Sequence, residues 1–311
     1  MALAEGKTFG TFNIRRGILN PFREIDTGQI AISPDGKTIV FAADAEPAKA
    51  QGDRLGAPIL RIGPLRSSGA NDITIGQGTE PLFSPDGTQV AAIVPDRRDS
   101  CDPGQKGCPS ETVMIYEAIA EPNEGTLVLE DGDWDIIGWT GSDVVVVSEE
   151  DGSLWRAGPK GASKIGRDGT NVLAVSPTES TVLIAVKKKV ALLPIARVGE
   201  PGITGELIEL ALDDSAVTGA FWSPDGSKVA VVTDSVWVID IEAVDGEGGG
   251  AAPVPTGIAA SGQFAWAADS EHFIFSKLQK ASERAMLCDA SLGCDYIFSW
   301  DQGTVTLQGL L

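Results

Sequence analysis

The sequence predicts an all-β fold made of a repeated element, and three observations support this prediction. The stretch Ser-Pro-Asp-Gly occurs three times, in "AISPDGKTIVFA" from Ala31, "LFSPDGTQVAAI" from Leu82 and "FWSPDGSKVAVV" from Phe221. Each copy lies between two short apolar segments, the second rich in β-branched residues, which favours two strands joined by a tight turn. No amphipathic helix of three or four turns interrupts the pattern.

Three degenerate copies bring the number of repeats to six. They are "IIGWTGSDVVVV" from Ile136, "LAVSPTESTVLIAV" from Leu173 and "FAWAADSEHFIF" from Phe264. Successive copies are about 36 to 56 residues apart, a range typical of the blades of a β-propeller. In the complete copies, proline sets φ at a turn position, aspartate can bond its own backbone, and glycine supplies a positive φ.

Each repeat continues with a third strand that is often aromatic, such as "VMIYEA" in the second repeat and "YIFSWD" in the sixth. A fourth, more polar strand follows, such as "ANDITIG" in the first repeat and "TVTLQG" in the sixth. Six four-stranded sheets in a ring would bury their faces and leave only short edges. The sequence therefore predicts a six-bladed β-propeller of four-stranded antiparallel blades over residues 28–311. Residues 1–27 precede it as an extension that could add a ring-closing strand. The tryptophans fall mostly on strands or at blade starts, which favours packing between blades over a carbohydrate site.

The pentapeptides "FSPDG" and "WSPDG", each followed by a polar residue and an apolar strand, resemble the TolB-type β-propeller repeat. The resemblance extends over nearly the whole chain after the extension, and it implies a six-bladed propeller. Members of this family include periplasmic proteins that dock partners, and the propeller domains of some serine peptidases and sugar lyases. The chain has one histidine, His272, and no Gly-x-Ser-x-Gly elbow. Neither the peptidase nor the lyase activity therefore carries over, and a non-enzymatic role without a cofactor is favoured.

The charge of the chain limits its partners. The formal net charge is −20, which repels a nucleic-acid backbone and an anionic membrane surface. No apolar run reaches the length of about 18 residues that a membrane-spanning helix needs. A protein partner is the class that remains favoured, although the acidity alone is also explained by solubility.

The four cysteines form two local pairs, Cys101 with Cys108 and Cys288 with Cys294. Pairing within each short, glycine-containing loop is favoured, and four reduced thiols are the alternative. Two disulfides indicate an oxidising compartment, hence a periplasmic, secreted or cell-surface protein. The N-terminal segment lacks the features of a signal peptide, so this location assumes that a leader or anchor has been removed.

The connections between second and third strands point to a docking surface. These connections are short in the third to fifth repeats and long in the first, second and sixth. In a closed ring of six blades, the sixth, first and second blades are adjacent, so their long connections would lie side by side. Both cysteine pairs are predicted to lie in these long loops. Arginine is common at protein interfaces, and the loops carry basic residues on an acidic chain. The predicted partner-binding residues are Lys49, Arg54, Arg97, Arg98, Lys106, Lys277, Lys280 and Arg284.

The leading hypothesis is a non-catalytic, extracytoplasmic protein-interaction module that binds its partner through these three loops. Surface insertions tied down by disulfides, with no partner, are the structural alternative. A second functional hypothesis is small-ligand or carbohydrate binding, or a divergent hydrolase, at the mouth of the central channel. There Asp131, Asp133 and Asp135 alternate like the start of a calcium loop. They lack the glycine and the final glutamate of such a loop, so they are weak candidates for holding a hard cation.

Overall fold

The computed structural model consists of β-strands, turns and connections. It describes residues 2–309 except 6–7, 14–17, 26–28, 44–57, 68, 96–110, 120–123, 166–170, 179–180, 187–188, 196–207, 214–216, 242–253, 258–262, 280–281, 290, 292 and 302–304. The chain divides into two compact units. The first comprises Met1–Ile25, Asn171–Pro194 and Gly205–Leu311, and the second comprises Asp26–Thr170 and Ile195–Thr204.

The described residues of the first compact unit form four antiparallel sheets of four strands. Their orders are β28-β1-β2-β3, β16-β17-β18-β19, β20-β21-β22-β23 and β24-β25-β26-β27. The strands are β1 (Ala2–Glu5), β2 (Thr8–Asn13), β3 (Ile18–Glu24), β16 (Asn171–Val175), β17 (Thr181–Val186), β18 (Lys189–Pro194), β19 (Ile208–Asp213), β20 (Gly219–Trp222), β21 (Lys228–Val232), β22 (Val236–Asp240), β23 (Val254–Pro255), β24 (Phe264–Trp266), β25 (His272–Gln279), β26 (Ser282–Asp289), β27 (Cys294–Asp301) and β28 (Val305–Gly309).

In the second compact unit, the part of the chain that the structure describes forms three sheets of the same kind, with orders β4-β5-β6-β7, β8-β9-β10-β11 and β12-β13-β14-β15. The strands are β4 (Ile30–Ile32), β5 (Thr38–Ala43), β6 (Ile59–Pro64), β7 (Ile73–Gln77), β8 (Thr79–Phe83), β9 (Gln89–Pro95), β10 (Glu111–Glu117), β11 (Thr126–Gly132), β12 (Trp134–Thr140), β13 (Asp143–Ser148), β14 (Leu154–Gly158) and β15 (Gly161–Lys164).

The predicted all-β class and the four-stranded antiparallel sheets are confirmed. Each of the six sequence repeats, from β4–β7 to β24–β27, is one sheet. The described residues contain a further, seventh sheet, in which β28 pairs with β1 and the strands of the N-terminal extension follow. The repeat count did not include this sheet because its strands lack the Ser-Pro-Asp-Gly turn and come from opposite ends of the chain.

The sixth repeat differs from its predicted strand assignment. The segment expected to be its long second-to-third loop contains β26, an eight-residue strand paired with both β25 and β27. The expected third strand, "YIFSWD", belongs to β27, and the expected fourth strand, "TVTLQG", to β28. Glu283 and Arg284 made β26 resemble a loop. However, Glu283 is only 6% exposed and accepts a hydrogen bond from Gln263 Nε2 at 3.0 Å.

The Ser-Pro-Asp-Gly stretch forms a closed turn held by its own side chains. Ser223 Oγ donates to Asp225 Oδ1 at 2.7 Å and accepts from the backbone N–H of Lys228 at 2.9 Å. Gly226 has a φ of 74°, which glycine adopts without strain. The matching serine-to-aspartate distances are 2.7 Å from Ser33 to Asp35 and 2.6 Å from Ser84 to Asp86. The turn is therefore a structural element whose polar groups bond one another.

Neighbouring sheets within each compact unit pack face to face through apolar side chains. In the first unit, for example, Val232 and Phe264 belong to one buried cluster, which also contains Phe275. Tryptophans add hydrogen bonds between sheets: Trp266 Nε1 donates to the carbonyl of Phe221 at 2.9 Å. In the second unit, Trp139 Nε1 donates to Leu82 O at 3.1 Å. These two tryptophans pack between sheets, as predicted from their placement.

Candidate functional site

Each repeat sheet has two distinct ends because its strands are antiparallel. We call the end with the first-to-second turn, where Ser-Pro-Asp-Gly lies, the turn end; the third-to-fourth connection lies there too. We call the other end, with the second-to-third connection, the opposite end. The connections 44–58 and 96–110 join β5 to β6 and β9 to β10. The predicted site residues Lys49, Arg54, Arg97, Arg98, Lys106 and Lys280, and the pair Cys101 and Cys108, lie outside the described residues.

The second cysteine pair forms a disulfide, as predicted, but at a different place. Cys288 and Cys294 are bonded and are also register partners in the β26–β27 pair. Cys288 pairs on its other side with Phe273, next to His272 at the start of β25. The disulfide therefore lies at the turn end, and its predicted place in a long loop at the opposite end is wrong. The cause is the strand β26, which carries the chain back between the two ends.

Two of the predicted partner-binding residues are brought together by β25 and β26. Lys277 and Arg284 are direct cross-strand partners, and Ser299 of β27 pairs with Arg284 on the other side. Side chains of direct partners project from the same face of a sheet. We call Lys277, Arg284 and Ser299 the basic row. It lies near the opposite end of this sheet, and Arg284 and Ser299 are exposed.

Tyr296 extends the basic row. Its side chain is 54% exposed, and the Arg284 guanidinium carbon lies 5.3 Å from the centre of its ring. Its hydroxyl donates to Ser299 Oγ at 3.5 Å. Residues three apart in a regular strand project from opposite faces. The register of β27 shifts opposite Ala285 and Met286, and this bulge places Tyr296 and Ser299 on one face.

The basic row is unusual in its charge. Like charges directly opposite each other destabilise a pair of strands, and the chain has an excess of carboxylates. Nevertheless, neither Lys277 nor Arg284 forms an ion pair with any described residue. Proteins most often depart from such rules of strand pairing at residues that serve function. Sequence reasoning identified both cations but missed Tyr296 and Ser299, because only the bulge places them there.

A group of acidic residues occupies the opposite end of two sheets in the second compact unit. Burial raises the pKa of Glu80, and the charges of Asp135 and Glu149 raise it further. Burial also raises the pKa of Glu111, together with the charges of Asp133 and Glu80, although the backbone N–H of Trp134 donates to its carboxylate at 3.0 Å. Lost solvation and nearby negative charges thus raise the pKa of these two glutamates, Glu80 and Glu111, above the ordinary value.

The weak cation candidates belong to this region. Asp131 lies in β11, Asp133 follows it, and Asp135 lies in β12. Among the residues that the structure describes, no three His, Cys, Asp or Glu side chains are grouped so that they could hold a metal ion. His272 begins β25, and its Nδ1 lies 2.8 Å from Asp269 Oδ2.

Comparison with known proteins extends the fold assignment. The sequence matches no family model and no curated protein. The structure is similar to a periplasmic gluconolactonase from Pseudomonas aeruginosa, with a TM-score of 0.57, 11% identity, and 98% of this chain and 97% of that chain covered. It is also similar to the C-terminal WD40 domain of Sif2, with a TM-score of 0.52, 13% identity and coverages of 97% and 82%.

A candidate TolB from Agrobacterium tumefaciens matches with a TM-score of 0.48, 12% identity and coverages of 99% and 94%. A TM-score this low carries no argument. Together, the sheets and the two stronger matches show a β-propeller fold. Across the described ranges, no helix is long and apolar enough to cross a membrane.

Proposed function

We propose that this chain is a non-catalytic, extracytoplasmic protein-interaction propeller of TolB type. It would bind a partner protein through the connections 44–58 and 96–110 and through the basic row. The observation that carries the proposal is the basic row itself: two cross-strand cations without an ion pair among the described residues, on a chain of net charge −20. Arginine matches carboxylates well and is enriched at interfaces.

Two further observations support the proposal. The Cys288–Cys294 disulfide is the kind of bond that persists in an oxidising compartment. The connections 44–58 and 96–110 are close to neutral on a chain of net charge −20 and carry five of the predicted basic residues. They join buried strands, and binding residues are commonly carried by loops on a rigid scaffold.

Capture of the partner from a native envelope fraction tests this function. We expect the Arg97→Glu, Arg98→Glu double variant to lose capture of the protein that the wild type retains, identified by mass spectrometry. The matched control is Arg61→Glu, Arg66→Glu, which makes the same change in charge at exposed arginines outside these connections. Capture that survives in the first variant, or is lost equally in both, would contradict the proposed docking connections.

A further inference from the structure

We propose that the basic row and Tyr296 bind an extended, carboxylate-rich segment of a partner protein beside the outer edge of β27. This inference rests on the proposed function and names the chemistry of the partner. It follows from the charge of the row, from the arrangement around Arg284 and from the free edge of β27.

The positive charge of the basic row favours an anionic ligand. A second cation opposite Arg284 weakens the strand pair, whereas a carboxylate placed between Lys277 and Arg284 would interact favourably with both. The carboxylates of the rest of the chain oppose an approaching anion over long distances. At physiological ionic strength, however, charges are screened beyond about 8 Å, so the local pair of cations governs contact.

The contact between Arg284 and Tyr296 favours a carboxylate. A guanidinium over an aromatic ring uses its face for that contact, which leaves its N–H edge for hydrogen bonds. Two parallel N–H groups on that edge match the two oxygens of a carboxylate. Ser299 is exposed on the same face and adds a hydroxyl that can donate to the same ligand.

The edge of β27 favours an extended polypeptide over a small anion. This strand has eight residues and, among the described strands, pairs only with β26. Its outer N–H and C=O groups are thus free of described strand partners, and an added strand can pair with such an edge. The bulge interrupts the edge near Ile297, so Phe298–Asp301 is the continuous stretch beside the row. Alternate side chains of an added strand would face Arg284 and Tyr296.

Fluorescence anisotropy with labelled hexaglutamate, at about physiological ionic strength, tests the inference. We expect the Lys277→Gln, Arg284→Gln variant to bind the peptide about tenfold more weakly than the wild type, because two exposed ion pairs are lost. The control, Arg61→Gln, Lys160→Gln, makes the same change in charge elsewhere and should bind like the wild type. Removing the like-charged pair should not lower the unfolding midpoint, which separates loss of binding from loss of fold.

Three results would overturn the inference. The first is no binding of hexaglutamate by the wild type, and the second is equal weakening of binding in both double variants. The third is displacement of the peptide by inorganic phosphate when both ligands supply the same concentration of negative charge. The last result would identify a small-anion site instead. A different result would refute the proposed function, namely capture of the partner that survives in the Arg97, Arg98 variant. Capture lost in the Arg97, Arg98 variant with unchanged peptide binding in the Lys277, Arg284 variant refutes only the inference about β27.

Discussion

Replacing Ser223 by alanine should destabilise the protein by about 2 kcal/mol, and the structure indicates why. The hydroxyl donates to Asp225 and accepts from the half-buried backbone N–H of Lys228. Leaving that N–H without its acceptor costs about 1–2 kcal/mol. The bond to the exposed Asp225 carboxylate adds only about 0.5–1 kcal/mol because solvent screens it.

The same variant should change the pH dependence of stability. Burial acts to raise the pKa of Asp225, but hydrogen bonds from Ser223 and Ser227 lower it to about 2, from 3.8. A lowered pKa in the folded state contributes stability that is present above pH 3.8 and is lost as the pH falls towards 2. Without Ser223 this pKa rises, so the stability of the variant should fall less steeply over that range.

Urea unfolding followed by tryptophan fluorescence at pH 7 and at several values between 4 and 2 measures both effects. We expect the midpoint at pH 7 to fall by roughly 0.5–1 M. Ser227→Ala is the matched control, because its hydroxyl also donates to Asp225, at 2.9 Å, but in an exposed bond. A loss below about 0.5 kcal/mol for Ser223→Ala, or a loss equal to that of the control, would refute the account of the turn.

Two further variants test contacts between and within sheets. Trp266→Phe removes the hydrogen bond to the Phe221 carbonyl and should cost about 1–2 kcal/mol in urea unfolding. Trp222→Phe should cost less, since Trp222 Nε1 is buried without a partner among the described residues. Equal losses would argue against a contribution from the Trp266 hydrogen bond. Replacing Cys288 and Cys294 by alanine removes a disulfide with a sequence separation of 6 and should cost about 2 kcal/mol by the chain-entropy relation. An unchanged unfolding midpoint on replacing these two cysteines would contradict a stabilising role for the disulfide.

The repeats were predictable because their turn chemistry is local. The hydrogen bond from Ser223 to Asp225 and the turn at Gly226 both lie within six residues. The pattern in the sequence therefore corresponds directly to the geometry. The sheet of β28 with β1 was not predictable in the same way, since the pairing of Leu3 with Leu307 joins segments with no shared motif. Pairing between distant segments depends on the packing of the whole chain, which a local pattern does not contain.

The candidate site was predictable only in part, for a related reason. The sequence indicates Lys277 and Arg284 as cations on an acidic chain, but it predicts a loop in place of β26 because Glu283 and Arg284 interrupt the apolar residues of that segment. The burial of Glu283 depends on Gln263, which lies in a different segment. The role of Tyr296 depends on a one-residue shift of register, which no periodicity in the sequence indicates.

The pairing of β28 with β1 also has a consequence for the folding of the chain during synthesis. Of the described strands, β1 to β3 are synthesised before those of the repeats, and the edge of β1 that pairs with β28 lacks this partner until β28 has been synthesised. An open strand edge can pair with other chains, and contacts between sequence-distant strands form slowly. We therefore expect this sheet to be completed later than the sheets of the repeats, and until then the open edge of β1 can pair with another chain.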